Sequence, residues 1–330
     1  MRKYTSYNSN LFDVSILRTF SVISVVLWHS YCPYICWGIA DSPLNRYYTF
    51  ILSNVLPDAN LPLFTFISGY LFRFSIEKNK YSEFIPFLYN KVNRLLIPFI
   101  VLGSVINLCE IDKNIVDILY GKPNHLWYCL MLFYCFILCW FIEKKIRNYN
   151  IILAIISAIF ASYIGGGVLS INSPLGIVLP IYYYVYFYFG FYVYKCKNKV
   201  YTLMTKCWSI ILIVYISFCI YNPGGHLIVF QCLSYILLLW RIVNSRKIIS
   251  ICMMPPISNF IYKINKYSFG IYVFHQWIIW NLTRSNFILP IISEYYIMFP
   301  ALLFIIVIVL SYSMTWILTN NNRVFRYLLT

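Results

Sequence analysis

Residues 13–32 read DVSILRTFSVISVVLWHSYC, and this stretch sets both the fold class and the search for chemistry. It is an apolar run of about the length that crosses a bilayer core. Two residues interrupt it, Arg18 and His29. On an α-helix, eleven steps of about 100° return to within about 20° of three full turns, with a rise of roughly 16 Å. Both side chains therefore project from one helix face, about half a bilayer apart. A guanidinium in a membrane helix costs about 2.5–3.5 kcal/mol on insertion scales. One account is structural: Arg18 snorkels to lipid phosphates and His29 hydrogen-bonds at the interface. That account needs no shared face. A cation aligned with a titratable imidazole suits an anionic substrate at one level and proton transfer at another.

The rest of the chain supports a membrane setting. Its 330 residues are 61% hydrophobic and 11% charged, against about 25% charged in soluble proteins. The expected fold class is an all-α polytopic membrane protein. A net charge of +16 raises the question of nucleic acid, but the charges cluster in short blocks between apolar segments, as the positive-inside rule requires. Ten spans are predicted near residues 14–32, 57–73, 95–109, 124–142, 150–163, 177–194, 207–221, 226–240, 267–284 and 298–318. Of 26 basic residues, Arg18 lies within a span and Arg46, Lys113, Lys122 and Arg284 fall on outer segments. The others face inward, which places both termini in the cytoplasm. With no repeat, low-complexity tract or soluble domain, residues 1–330 read as one integral-membrane domain. Arg2 and Lys3 resemble the start of a signal peptide, yet no small-residue cleavage site follows, so no cleavage is expected. Eleven cysteines, mostly in apolar runs and without metal-type spacing, read as small core hydrophobes; only Cys32 and Cys36 suggest a pair near the outer surface.

Four further groups of residues are candidates for chemistry. Ser68-Gly69-Tyr70 ends the apolar stretch LPLFTFISGYLF, where small residues let helix backbones approach closely. Lys91 and Arg94 stand three apart at an expected helix start, just before Leu95-Leu96-Ile97-Pro98. They read either as a solvated face or as a pair of cations able to grip phosphates. His125-Leu126-Trp127-Tyr128 opens a helix at the outer surface, where an aromatic belt accounts for Trp127 and Tyr128. His275, in KYSFGIYVFHQ, lies near the middle of the ninth span and is expected to face a cavity or a polar group. His226, beside Pro223-Gly224-Gly225, reads as a loop residue.

Taken in order, these elements resemble the membrane acyltransferase-3 family, whose members O-acylate bacterial polysaccharides and other extracytoplasmic molecules. The family's Arg-x10-His matches Arg18 and His29. Its Phe-x-x-Ser-Gly-aromatic element matches Phe66-Ile67-Ser68-Gly69-Tyr70 with one residue of slippage. Its basic pair leading to Leu-x-x-Pro matches Lys91, Arg94 and Pro98. The elements at His125–Tyr128 and Ser268–His275 are similar to its later signatures, and ten helices is its usual number. One departure is clear: members often carry an acid three positions before the arginine, where this chain has Ser15. Asp13 lies five positions before Arg18, about 140° around the helix.

The resemblance implies a multi-pass enzyme of the bacterial inner membrane. It implies acetyl-CoA, or another acyl-CoA, as a cytoplasmic donor, and no metal. The acceptor it implies is a hydroxyl of a cell-surface polysaccharide or lipid-linked oligosaccharide, with membrane lipid around the protein and no nucleic-acid partner. His29 is then the general base, an imidazole having an ordinary pKa near 6.5. Arg18, Lys91 and Arg94 attract the donor's phosphates, and Ser68 and Tyr70 join them as donor-contact candidates. Ser68 and Tyr272 are candidates for stabilising the oxyanion, with Trp127 and His275 as further candidates. Direct transfer and an acyl-histidine intermediate both stay open. The alternative class is an exporter of polysaccharide or lipid-linked glycan, although the matching broken half-helices common in transporters are not seen. The other large family of polytopic O-acyltransferases carries its histidine late in the chain, without the first-helix pair.

Overall fold

The computed structural model describes residues 11–55, 60–109, 124–146, 149–165, 173–221 and 227–329. Residues 110–123 and 166–172, which lie between predicted spans, and Pro223 to His226 lie outside the described residues, as do Arg2, Lys3, Lys113, Lys122 and Arg147. The described residues are overwhelmingly helical and contain no strand.

The chain begins with α1 (Phe12–Ile35) and the short α2 (Asn45–Thr49), which runs into a π-helical turn at Phe50–Val55. There follow α3 (Asn60–Glu77), α4 (Phe84–Lys91), a second π-helical turn (Val92–Leu96), α5 (Ile97–Cys109), α6 (Trp127–Lys145), α7 (Tyr149–Gly165) and α8 (Val178–Lys195). Then come α9 (Lys197–Tyr221), α10 (Ile228–Val243), α11 (Arg246–Cys252), α12 (Pro255–Thr283), α13 (Leu289–Glu294), α14 (Phe299–Asn321) and α15 (Arg323–Leu329). Among the described residues, each of the ten predicted segments overlaps one helix: α1, α3, α5 to α10, α12 or α14.

Six stretches are by themselves long and apolar enough to cross a membrane: Phe12–Ile35, Phe84–Leu108, Trp127–Lys145, Pro174–Lys195, Lys197–Tyr221 and Phe299–Asn321. A seventh is reached if α10 and α11, bent by 69° to each other, form one span. The other predicted spans fall short for readable reasons. α7 has 17 residues and α10 has 16, below the usual 20 or so. α3 carries Arg73 and Glu77, while α12 carries Lys263, Asn265, Lys266 and His275. Exposed isoleucines and leucines along α9 and α14, among them Ile210, Ile213, Ile220, Leu302 and Ile305, form the kind of surface that a lipid environment covers.

Two prolines shape the helices that carry candidate residues. Pro98 has no N–H to return to the Arg94 carbonyl, and its ring crowds that oxygen. The preceding turn widens into the π-helical segment, so the helix runs on from Phe84. Lys91 and Arg94 therefore sit within a helix and not at its start. Pro33 likewise removes the donor for the His29 carbonyl, and α1 ends two residues later.

The chain divides into two compact units, Met1–Leu61 with Leu238–Thr330, and Pro62–Leu237. In the first, α1 and α12 run parallel and in register. Asn265 Nδ2 donates to the Ser15 carbonyl (2.8 Å) and Thr19 Oγ1 (2.6 Å). Ten residues farther along both helices His29 meets His275, and beyond them Trp37 meets Trp280. α14 packs on α12 through small residues: a Cβ on Gly270 would lie 2.2 Å from Thr315 Cγ2. Ser311, Thr315 and Thr319 on α14 return their hydroxyl protons to carbonyls four residues back. That face is thus polar in composition but satisfied within its own helix.

In the second unit α3 and α8 cross at a reciprocal pair of glycines. A Cβ on Gly69 would lie 1.9 Å from the Phe187 carbonyl oxygen, and one on Gly190 would lie 1.9 Å from that of Phe66. Each glycine accepts the carbonyl three residues before the other. The packing reading of Gly69 holds, and its partner is Gly190. Gly69→Ala and Gly190→Ala should each destabilise the protein by about 1–3 kcal/mol, the usual cost of overpacking. This is measurable as a lowered unfolding midpoint in detergent. One separation of the helices relieves both clashes, so the double variant should lose less than the sum. Additive losses would show that the two notches do not share a single crossing.

Candidate active site

In the first unit α1 is an unbroken α-helix from Phe12 to Ile35, so the spacing of Arg18 and His29 keeps them on one face. Both are half-buried. His29 Nδ1 lies 2.9 Å from the Val25 carbonyl oxygen and 3.3 Å from His275 Nε2. The two imidazoles meet nearly edge to face, at 4.9 Å between centroids. His275 is completely buried. Its Nδ1 faces the carbonyls of Tyr272 (2.6 Å) and Ile271 (3.2 Å), and the Tyr272 ring lies 5.9 Å from the imidazole. Three sequence candidates, His29, Tyr272 and His275, are therefore brought together.

An aromatic shell surrounds His29. Trp28 and Trp37 lie 5.1 and 6.2 Å from its ring, and Trp37 packs edge-on against Trp280. The Arg284 guanidinium stacks 3.8 Å from the Trp280 ring centre, a cation–π contact worth about 0.5–1 kcal/mol at an exposed site. Trp37, Trp280 and Arg284 were not legible as site neighbours in sequence. Trp and Tyr are frequent at membrane interfaces for general reasons, and Arg284 reads simply as an outer charge. Cys32 and Cys36, near this end of α1, are not joined by a disulfide; their thiols donate to the carbonyls of Trp28 (3.6 Å) and Cys32 (3.7 Å).

The second unit holds the remaining candidates. Thr65 Oγ1 donates to the Tyr128 hydroxyl (3.4 Å), and that hydroxyl also interacts with Ser68. The Ser-Gly element thus meets the His125–Tyr128 element. Trp127 is half-buried, 5.6 Å from the Tyr183 ring. Tyr70 is buried against Tyr194 and has the Lys197 ammonium 5.9 Å from its ring.

Lys91 and Arg94 are placed differently from each other. Lys91 is buried, its ammonium 3.4 Å from the Phe136 ring centre and 5.0–5.9 Å from those of Tyr81, Phe72 and Phe87. Such a desolvated cation–π box is worth about 2 kcal/mol or more. Arg94 is exposed. The wide turn between them explains the split, since residues three apart on a π-helix are less well aligned than on an α-helix. Tyr81, in the turn before α4, gives its hydroxyl proton to Asn90 Oδ1 (3.2 Å). Burial pushes its phenol above the ordinary range, partly opposed by the Arg94 charge, so it stays a neutral donor.

A polar chain escaped the sequence reading altogether. Arg73 pairs with Glu143 at 3.6 Å and lies over the Phe191 ring. Glu143 accepts from Asn150 Nδ2 at 3.2 Å, and Asn150 Oδ1 accepts from the Tyr184 hydroxyl. One residue from each of α3, α6, α7 and α8 is thereby joined. In sequence Arg73 and Glu143 are ordinary end-of-helix charges; only Asn150, at the start of an apolar run, is a signal. The pair is half-buried, so removing one partner should cost less than the about 3–5 kcal/mol of a fully buried pair, whereas removing both often costs little. Glu143→Met should therefore lower the unfolding midpoint more than the Arg73→Met/Glu143→Met double variant does. The reverse order would make the pair a minor contributor.

Comparison with known families completes the description. A family model described as an acyltransferase domain matches residues 11–319. No curated protein and no solved structure matches the chain. The matched range covers the second unit and most of the first, and it contains every candidate residue named above. The chain belongs to the acyltransferase-3 family and is a multi-pass membrane protein of acyltransferase type.

Proposed function

We propose that this protein is an O-acyltransferase that takes an acyl group, by preference acetyl, from a cytoplasmic acyl-CoA to a hydroxyl of an extracytoplasmic glycan. The observation that carries the reading is the placement of His29 within a chain of this family. It is a half-buried imidazole on the same helix face as a cation, held by a second imidazole. We propose ten crossings with both termini in the cytoplasm of a bacterial inner membrane. The parallel course of α1 and α12 supports this, because parallel spans require an odd number of crossings between them, and seven predicted segments intervene.

In the proposed reaction His29 accepts the proton of the acceptor hydroxyl as its oxygen attacks the thioester carbonyl. The new C–O bond forms, the tetrahedral oxyanion collapses, and the C–S bond breaks. The imidazolium then returns its proton to the departing thiolate. Tyr272 is the candidate donor to the oxyanion. Arg18 and Arg94 are assigned to the donor's phosphates, where a planar guanidinium forms paired hydrogen bonds. Ser68, Tyr70 and Trp127 are assigned to contacts with the donor, and Lys91 supplies positive potential from within its aromatic box.

The first test is the O-acetyl content of the host's surface polysaccharide, read by NMR in a deletion strain. Complementation with wild type should restore acetyl; a stably expressed His29→Ala should not. Unchanged acetylation with glycan retained inside the cell would replace this reading with export. A second test separates the two cations. Arg94→Gln should raise the KM for acyl-CoA by about ten-fold, equivalent to one lost charged hydrogen bond. Lys91→Met, which fills the ring box with a polarisable thioether, should leave that KM within about three-fold. Equal rises in both variants would make Lys91 a direct phosphate ligand.

A further inference from the structure

We infer that His275 is a positioning residue that holds His29 in the tautomer protonated on Nδ1, which makes Nε2 of His29 the basic nitrogen. The inference rests on the proposed role of His29 and identifies which of its atoms does the chemistry. The argument begins at His275 Nδ1, which lies against the carbonyl oxygens of Tyr272 and Ile271. A carbonyl only accepts, so this nitrogen carries hydrogen. A neutral imidazole has one N–H, so Nε2 of His275 bears a lone pair. That lone pair faces His29 Nδ1 at 3.3 Å.

His29 Nδ1 is now flanked by two acceptors, the Val25 carbonyl at 2.9 Å and His275 Nε2. An unprotonated Nδ1 would set three lone pairs against one another. The proton therefore resides on Nδ1 and is shared between the two acceptors. The lone pair of neutral His29 is left on Nε2, which has no hydrogen-bond partner among the described residues. Reversing the relay would require a doubly protonated His275, a cation with no exposed surface, which is costly in a buried site.

The arrangement also serves the charged state. When Nε2 takes a proton, Nδ1–H becomes a charge-assisted donor to the same two acceptors. Ring orientation is kept while the imidazolium is stabilised. A buried group accepting from Nδ1 of a catalytic imidazole performs this task in hydrolase triads, where it fixes tautomer and orientation. Here the acceptor is a second imidazole, and its own tautomer is fixed by the α12 backbone.

The test combines a spectrum with kinetics. With only four histidines in the chain, ¹⁵N-histidine labelling of the detergent-solubilised full chain gives a readable long-range ¹H–¹⁵N map. The His29 signals are those lost in His29→Ala. Above the imidazole titration range they should show a protonated Nδ1 and a pyridine-type Nε2. His275→Leu should mix the two tautomers and lower kcat about 10–100-fold, as loss of an orienting partner does, with the KM for acyl-CoA unchanged. His275→Gln places an amide oxygen where Nε2 stood, and should recover both the tautomer and most of kcat. A pyridine-type Nδ1 on His29 in the wild type would overturn the assignment, as would wild-type kcat in His275→Leu. Equal impairment of the Gln and Leu variants with an unshifted His29 spectrum would also overturn it. Full activity of His29→Ala would defeat the base reading itself, while the wild-type spectrum would still decide the tautomer.

Discussion

Inside a bilayer a hydrogen-bonding side chain has no water to fall back on, so each one must find its partner within the protein. That constraint organises the polar interior here. Asn265 fastens α12 to α1 through Ser15 and Thr19, and His275 meets His29 ten residues on. Ser311, Thr315 and Thr319 turn their hydroxyls back onto their own helix. Lys91 finds rings in place of a carboxylate. Each solution is local, but the first two also set the register of the helices that carry the candidate base.

Close approach is the second means of assembly. Lipid is as apolar as leucine, so burying leucine gives helices little reason to associate, and packing decides instead. The Gly69–Gly190 crossing brings two backbones, and the Gly270–Thr315 contact a backbone and a side chain, to distances that any larger residue than glycine would forbid. Rigid joints of this kind suit an enzyme, because a general base must be held to within a fraction of an ångström of its productive position. The same logic explains why His29 and His275 are anchored by backbone carbonyls of their own helices. A carbonyl four residues back moves with the helix, and so the imidazole moves with it.

The helices of the structure were legible because their cause is local. Apolar runs of bilayer length, broken by short charged blocks, leave little choice of secondary structure, and among the described residues each of the ten segments overlaps a helix. Proline was less legible. Lys91 and Arg94, just before Pro98, read as a helix start, yet the helix already runs from Phe84 and continues past Pro98 by widening one turn. That change separates Lys91 from Arg94 and turns an expected pair into one buried and one exposed cation. The Arg73–Glu143–Asn150–Tyr184 chain was silent for another reason: each member is unremarkable until four helices converge.

The sequence by itself determined the membrane-helical class, the alignment of Arg18 with His29, and the ordered motifs that place the chain in its family. All three depend on periodicity and on spacing along the chain, which a helix converts directly into geometry. Tertiary structure alone decided which distant residues meet: His275 with His29 across 246 positions, Gly190 with Gly69, and Glu143 with Arg73. It also decided which ring nitrogen of His29 is left basic. A tautomer is set by the acceptors that surround it, and those acceptors arrive only when α12 is laid beside α1.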